Sequence, residues 1–154
     1  MPIIHVDLSA ESVARALEEI KSYRDKVESL GERVVERLTT EGEQMAQMLA
    51  PMDTGELMSS IEGEANGEKG YIRATAGHAA YVEFGTGVVG EGTHPNPVGW
   101  AYDVNGHGTS GWVYKDDFGQ FTWTMGQPAN PFMYNTAQLL ADVTPEVVAE
   151  ELNT

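Results

Sequence analysis

Cysteine is absent from the 154 residues, which removes disulfide scaffolds, thiolate-ligated zinc and thiol catalysis together. Long apolar runs are missing as well: no stretch approaches the roughly 18 apolar residues that a membrane-spanning helix needs. The first residues, MPIIHVDLSAES, have no basic stretch leading into an apolar one, so they do not read as a secretory signal. The expectation is a soluble chain made in a reducing cytosol. Basic residues are scarce, nine against 24 acidic ones, for a net charge of −15. Six of those nine (Arg15, Lys21, Arg24, Lys26, Arg33 and Arg37) precede residue 38, leaving the remainder of the chain at −13. Such an acidic body repels phosphates, and no specific nucleic-acid binding is expected of it. Its charge suits simple solubility, a basic partner surface, or a channel through which DNA slides without sticking. What the chain does have is length and 41% hydrophobic residues, enough to bury a core without metals or cross-links.

Two helical patterns open the sequence. Ser9 is placed to cap a helix carrying Val13, Leu17 and Ile20 on one face. A second pattern, Val27, Gly31, Val34, Leu38, Gly42, Met45 and Leu49, keeps gaps of three and four and so forms one stripe. Glycine on that stripe points to close approach of another backbone at Gly31 and Gly42, or to a local break at Gly31. Pro51 stops the helix by disfavouring helical geometry at Ala50. Residues Leu57–Glu64 and Tyr71–Ala76 then flank Asn66-Gly67 and read as two antiparallel strands. From Gly77 to Gly126 glycine is frequent and strands are short. Trp112, Tyr114, Phe121 and Trp123 straddle the turn-like Asp116-Asp117-Phe118-Gly119, which suggests a hairpin with cross-strand aromatic pairs. Pro131 suits a first helical position, and Thr144-Pro145 resembles a fresh start of helix. The expected class is α+β in one domain over 1–154, helical over 9–50, sheet and loop over 57–126, helix again over 131–152.

Three chemical motifs do not hold up. Asp53-Thr54-Gly55 matches the triplet with which retroviral-type aspartic proteases contribute one carboxylate per subunit. Here it follows a helix and Pro51 and precedes Glu56, where a hydrophobic strand and a small residue are required. It reads instead as a turn in which Asp53 accepts backbone hydrogen bonds and Gly55 takes positive φ. Gly85, Gly87 and Gly90 match a dinucleotide fingerprint after a possible strand at Tyr81–Phe84. The segment that follows, Glu91–Pro97, carries two prolines and is a poor helix. His94, Asp103 and His107 resemble metal ligands only loosely, and the calcium-loop pattern from Asp103 has Tyr114 where a bidentate Glu is needed. His94 and His107 read as solvent-exposed loop residues. No cofactor or metal is expected.

Three segments in order are similar to the signatures of the tail-completion, or head–tail joining, family of long-tailed siphophages. APMDTGELMSSI, Ala50–Ile61, resembles the family's Pro, Thr-Gly, Leu, Ser-Ile pattern. HAAYVEFGTG, His78–Gly87, resembles its Tyr-Val-Glu-Phe-Gly-Thr core, and QPANPFMYNTA, Gln127–Ala137, its Pro-Ala-x-Pro-Phe motif opening a helix. The loop Val88–Met125 is longer than the family's minimal form. In that family the motifs determine the fold, so Asp53, Thr54, Gly55, Tyr81, Glu83, Phe84, Gly85, Thr86, Pro131 and Phe132 are expected in structural roles. Glu83, a lone charge amid apolar neighbours, is either an exposed strand position or a capping or intersubunit hydrogen-bond acceptor. The resemblance implies a non-enzymatic virion protein, assembled in the host cytoplasm as a homo-oligomeric ring with other neck or tail proteins. Trp112, Tyr114, Phe121 and Trp123 are the interface candidates. The alternative is a homodimeric aspartic protease using Asp53.

Overall fold

The computed structural model describes residues 9–116 and 118–154. The amino-terminal signal reading and Asp117 of the aromatic turn lie outside the described residues. A single helix, α1, runs Ala10–Leu49. Ser9 caps it as expected, its hydroxyl accepting from the Ser12 amide at 3.2 Å. At the other end Ala50 is extended, with ψ at 134°, the conformation that a following proline imposes. The helix does not break at Gly31, and at 1.5 Å per residue it spans about 60 Å.

A short turn of helix, α2 (Glu56–Ser59), leads into the hairpin of β1 (Ile61–Asn66) and β2 (Lys69–Ala74). The expected strand start at Leu57 is therefore helical. The register pairs Asn66 with Lys69, so the two-residue loop is Gly67-Glu68, one position later than Asn66-Gly67. Gly67 has φ of 61° and among the described residues no non-glycine has positive φ, which fits a type II′ turn with glycine first. Ile61, Gly63, Ile72 and Ala74 lie on the face turned to α1, and Glu62, Glu64 and Arg73 on the other.

The segment that reads as a strand at Tyr81–Phe84 is helical, within α3 (Ala79–Phe84), followed by α4 (Gly87–Gly90). A second hairpin joins β3 (Trp112–Lys115) to β4 (Phe121–Thr124), and β5 (Gly126–Gln127) crosses back over Thr86 and Gly87. Finally α5 (Phe132–Leu152) runs unbroken through Pro145, with Pro131 at its cap, so Thr144-Pro145 does not restart the helix. It lies antiparallel to α1: Leu140 meets Gly42, and Arg33 bonds Glu151 at 3.1 Å. Two small sheets and two long helices make the fold α+β. Among the described residues no helix is long and apolar enough to cross a membrane.

The core gathers Ala46, Ala50, Leu57, Ile61, Ala79 and Phe132, flanked by Ile72, Ala74, Val82 and Met133. At Gly42 both the first hairpin and α5 press on α1, where a Cβ would lie 2.7 Å from Leu140 Cδ1 and closer still to Ile72. Side chains, not backbone, explain that glycine. Gly31 faces open space.

Candidate functional site

The segments that carry the motifs are far apart in sequence and meet in space. Ala50, Leu57 and Ile61 come from the first, Ala79 and Val82 from the second, Phe132 and Met133 from the third. Their polar groups meet at Glu83. Buried on α3, its carboxylate accepts from the amides of Met133 at 2.8 Å and Tyr134 at 2.9 Å, and pairs with His94 Nε2 at 3.1 Å. Two of the free N–H groups at the start of α5 are thus satisfied by a carboxylate from another element, where the helix dipole also favours negative charge. Glu83 is a capping acceptor within its own chain and not an exposed strand residue.

His94 is likewise buried, with 6% of its surface exposed, against the expectation of a solvated loop histidine. Its Nδ1 accepts from the Asn96 amide at 3.0 Å, which fixes the proton on Nε2 and directs it to Glu83. Phe84 packs on its ring at 4.6 Å and stacks on Trp100 at 5.1 Å, while the Trp100 indole donates to the Gly85 carbonyl at 3.0 Å. The burial of His94 and the part played by Trp100 are not legible in the sequence, because loop residues carry no periodicity. The one signal available was an unpaired charge, Glu83, inside an apolar run.

The same region is stitched through backbone. The Asn130 amide donates to the Val82 carbonyl at 2.8 Å, the Gln127 side chain to the Tyr81 carbonyl at 3.1 Å, and the Ala129 amide to Thr93 Oγ1 at 2.8 Å. Thr86 Oγ1 accepts from the Gln127 amide at 3.2 Å. A Cβ at Gly85, whose φ is 80°, would stand 2.7 Å from the Ala129 nitrogen. The three glycines that mimic a nucleotide fingerprint are there because β5 crosses them closely.

Beside this junction opens a cleft of about 1500 Å³, lined by Asp53, Thr54 and His78 together with Tyr102, Trp112 and Tyr114. Asp53 is exposed, and among the described residues none donates a hydrogen bond to it; Thr54 Oγ1 takes the Glu56 amide instead, at 3.3 Å. Gly55 has the expected positive φ, 80°. Asp103 accepts from the amides of Gly108 at 2.6 Å and His107 at 2.8 Å, and these bonds hold its carboxyl below the usual range. Among the described residues no group of three or more metal-ligating side chains is assembled.

The aromatic hairpin differs from expectation. Opposite partners are Trp112 with Thr124, Val113 with Trp123, Tyr114 with Thr122 and Lys115 with Phe121. Opposed residues share a face, so Trp112 and Tyr114 lie on one side and Phe121 and Trp123 on the other. No aromatic pairs across the strands. Trp112 stacks on His107 at 5.1 Å, whereas Phe121 and Trp123 are 79% and 57% exposed.

Residues 14–85 match the model of a family described as "Bacteriophage HK97-gp10, putative tail-component". Over that stretch the chain is similar to a phage tail component. The tail-component match covers most of α1, the first motif segment, the first hairpin and α3, and ends at Gly85. The third segment lies beyond it, tied to the matched part through Glu83. No curated protein and no solved structure matches the chain.

Proposed function

We propose that this chain is a non-enzymatic structural protein of a tailed-phage virion, acting in tail completion or head–tail joining. In this reading it is one domain, assembles in the host cytoplasm and forms a homo-oligomeric ring beside other neck or tail proteins. The observation that carries the proposal is the tail-component match over residues 14–85. The motif groups fit it, because Glu83 and His94 are occupied in holding elements together and not in presenting a reactive atom.

A ring needs two different patches per copy, one meeting the other on its neighbour. The two faces of the aromatic hairpin supply a suitable pair: Trp112 and Tyr114 toward the cleft, Phe121 and Trp123 toward solvent. Exposed Trp and Phe of this kind are favoured interface anchors. Negative-stain microscopy of the purified protein, and of virions labelled on it, is the test. Rings, and label at the neck or tail end, are expected, and a Phe121→Ser, Trp123→Ser variant should melt normally yet lose them. The aspartic protease alternative meets an exposed Asp53 on a turn. Pepstatin-sensitive peptide cleavage that disappears in Asp53→Asn would replace the present reading.

A further inference from the structure

The carboxyl-terminal half of α1 is covered by the first hairpin and α5, but the amino-terminal half stands clear of them. Every residue from 17 to 28 is exposed. This part is nevertheless not polar all round. Val13, Ala16, Ile20, Tyr23, Val27, Leu30 and Val34 follow one another at gaps of 3, 4, 3, 4, 3 and 4. That is the spacing of a coiled-coil seam. Ala16 is already buried within its own chain, whereas Val13, Ile20, Tyr23 and Val27 are 43–56% exposed. The next two seam positions are Arg37 and Glu41, which bond each other at 2.8 Å. The heptad therefore stops where the body of the protein begins to cover the helix. The face that the body covers is a different one, marked by Thr39, Gly42 and Ala46.

We propose that the amino-terminal half of α1 packs parallel and in register beside that of a second copy, the Glu19 flank of one helix meeting the Arg24 flank of the next. This rests on the ring reading, in which all copies point the same way along one axis. The charges beside the seam favour that occupant. Glu19 precedes the seam at Ile20, and Arg24 follows it at Tyr23, five residues further on, so in a parallel pair Glu19 of one copy faces Arg24 of the next. Arg24 pairs within the chain with Asp25 at 2.9 Å and Glu28 at 3.8 Å, but these solvent-exposed pairs are weak enough to be exchanged for that contact. Lys26, the next flanking charge, would face Gly31 and meet no like charge. With Ala16 already covered, the open seam is the two heptads from Ile20 to Val34, and this contact adds to those of the body in holding the ring.

The chain has no cysteine, so single cysteines report on proximity without interference. Under mild oxidation Ile20→Cys and Val27→Cys should each form a disulfide with the same residue of another copy. The yield should be about tenfold above that of Asp25→Cys on the outer face, as the high effective concentration across a seam requires. Glu19→Arg and Arg24→Glu should each weaken association by roughly three- to tenfold, and the double variant should restore it. Rings without preferential cross-linking at 20 and 27 would overturn this inference and leave the ring reading standing. A monomer at every concentration, absent from virions, would remove both. If Ile20→Lys blocks incorporation into virions while neither cysteine forms a homodimer, another tail protein occupies the seam and the proposal fails.

Discussion

Glu83 shows how one carboxylate can decide the position of a helix twice removed in sequence. Replacing it with Gln exchanges an acceptor oxygen for a donor amide that must face either the His94 N–H or an α5 amide. The expected cost is about 1–3 kcal/mol. Glu83→Ala leaves two amides and an imidazole N–H without a partner and should cost about 3–5 kcal/mol. Chemical denaturation of both variants checks the order. Asp103 gives a separate test by pH. Its carboxyl is held low by the Gly108 and His107 amides, so the native loop gains from these bonds above the ordinary Asp value of 3.8. The gain is lost as pH falls through the lower folded value. The amide proton shifts of His107 and Gly108 should therefore titrate together, with a midpoint below 3.8. A midpoint at or above that value would mean the loop does not hold the carboxylate.

The elements differ in how far they could be read beforehand, and α1 supplies the clearest contrast. Gly31 and Gly42 occupy the same sequence stripe, yet one meets nothing and the other is crowded by Ile72 and Leu140. Gly31→Ala should stabilise by about 1 kcal/mol, raising Tm by roughly 2–4 °C. Gly42→Ala should destabilise by about 1–3 kcal/mol through overpacking, despite the same gain in helix propensity. A pair of thermal melts separates them. Both ends of α1 were legible because Ser9 and Pro51 act on their own neighbours. Tyr81–Phe84 was not, since four apolar residues before a glycine fit a buried strand as well as a helical turn. The aromatic hairpin was found, but its pairing was not, because register depends on loop length and one residue's shift exchanges the faces. Phe132 and Gly85 were expected in structural roles through the motif resemblance. The joining of their segments by Glu83 is a long-range fact that no local pattern records.

At the scale of the molecule, charge is the main determinant of what the surface can meet. Of the nine basic residues, Arg33 and Arg37 are engaged in tying α1 to the end of α5, through Glu150 at 2.6 Å and Glu151 at 3.1 Å. The hydrogen bonds that Arg37 donates to Glu41 and Glu150 raise its pKa further. Such pairs leave little cationic surface for phosphates. Electrophoresis at physiological salt should show no retardation of duplex DNA by the purified protein. Tight binding that weakens steeply with salt would contradict the expectation that DNA slides past this chain, and would place a basic face on the exposed half of α1.

The core is completed out of chain order. Ala46, Ala50, Leu57, Ile61 and Ala79 are all made well before Phe132, which is 1% exposed among them. On the ribosome, where synthesis proceeds at about 5–20 residues per second, the earlier part must wait several seconds for its last apolar side chain. In that interval α3 holds out a carboxylate with no helix to cap, and Leu57 and Ile61 lack their cover. Closing the core thus depends on contacts between residues far apart in sequence, the kind whose loop-closure cost slows folding. A chain halted before residue 132 lacks the side chain that closes the core, so no fragment ending there can pack as the whole protein does.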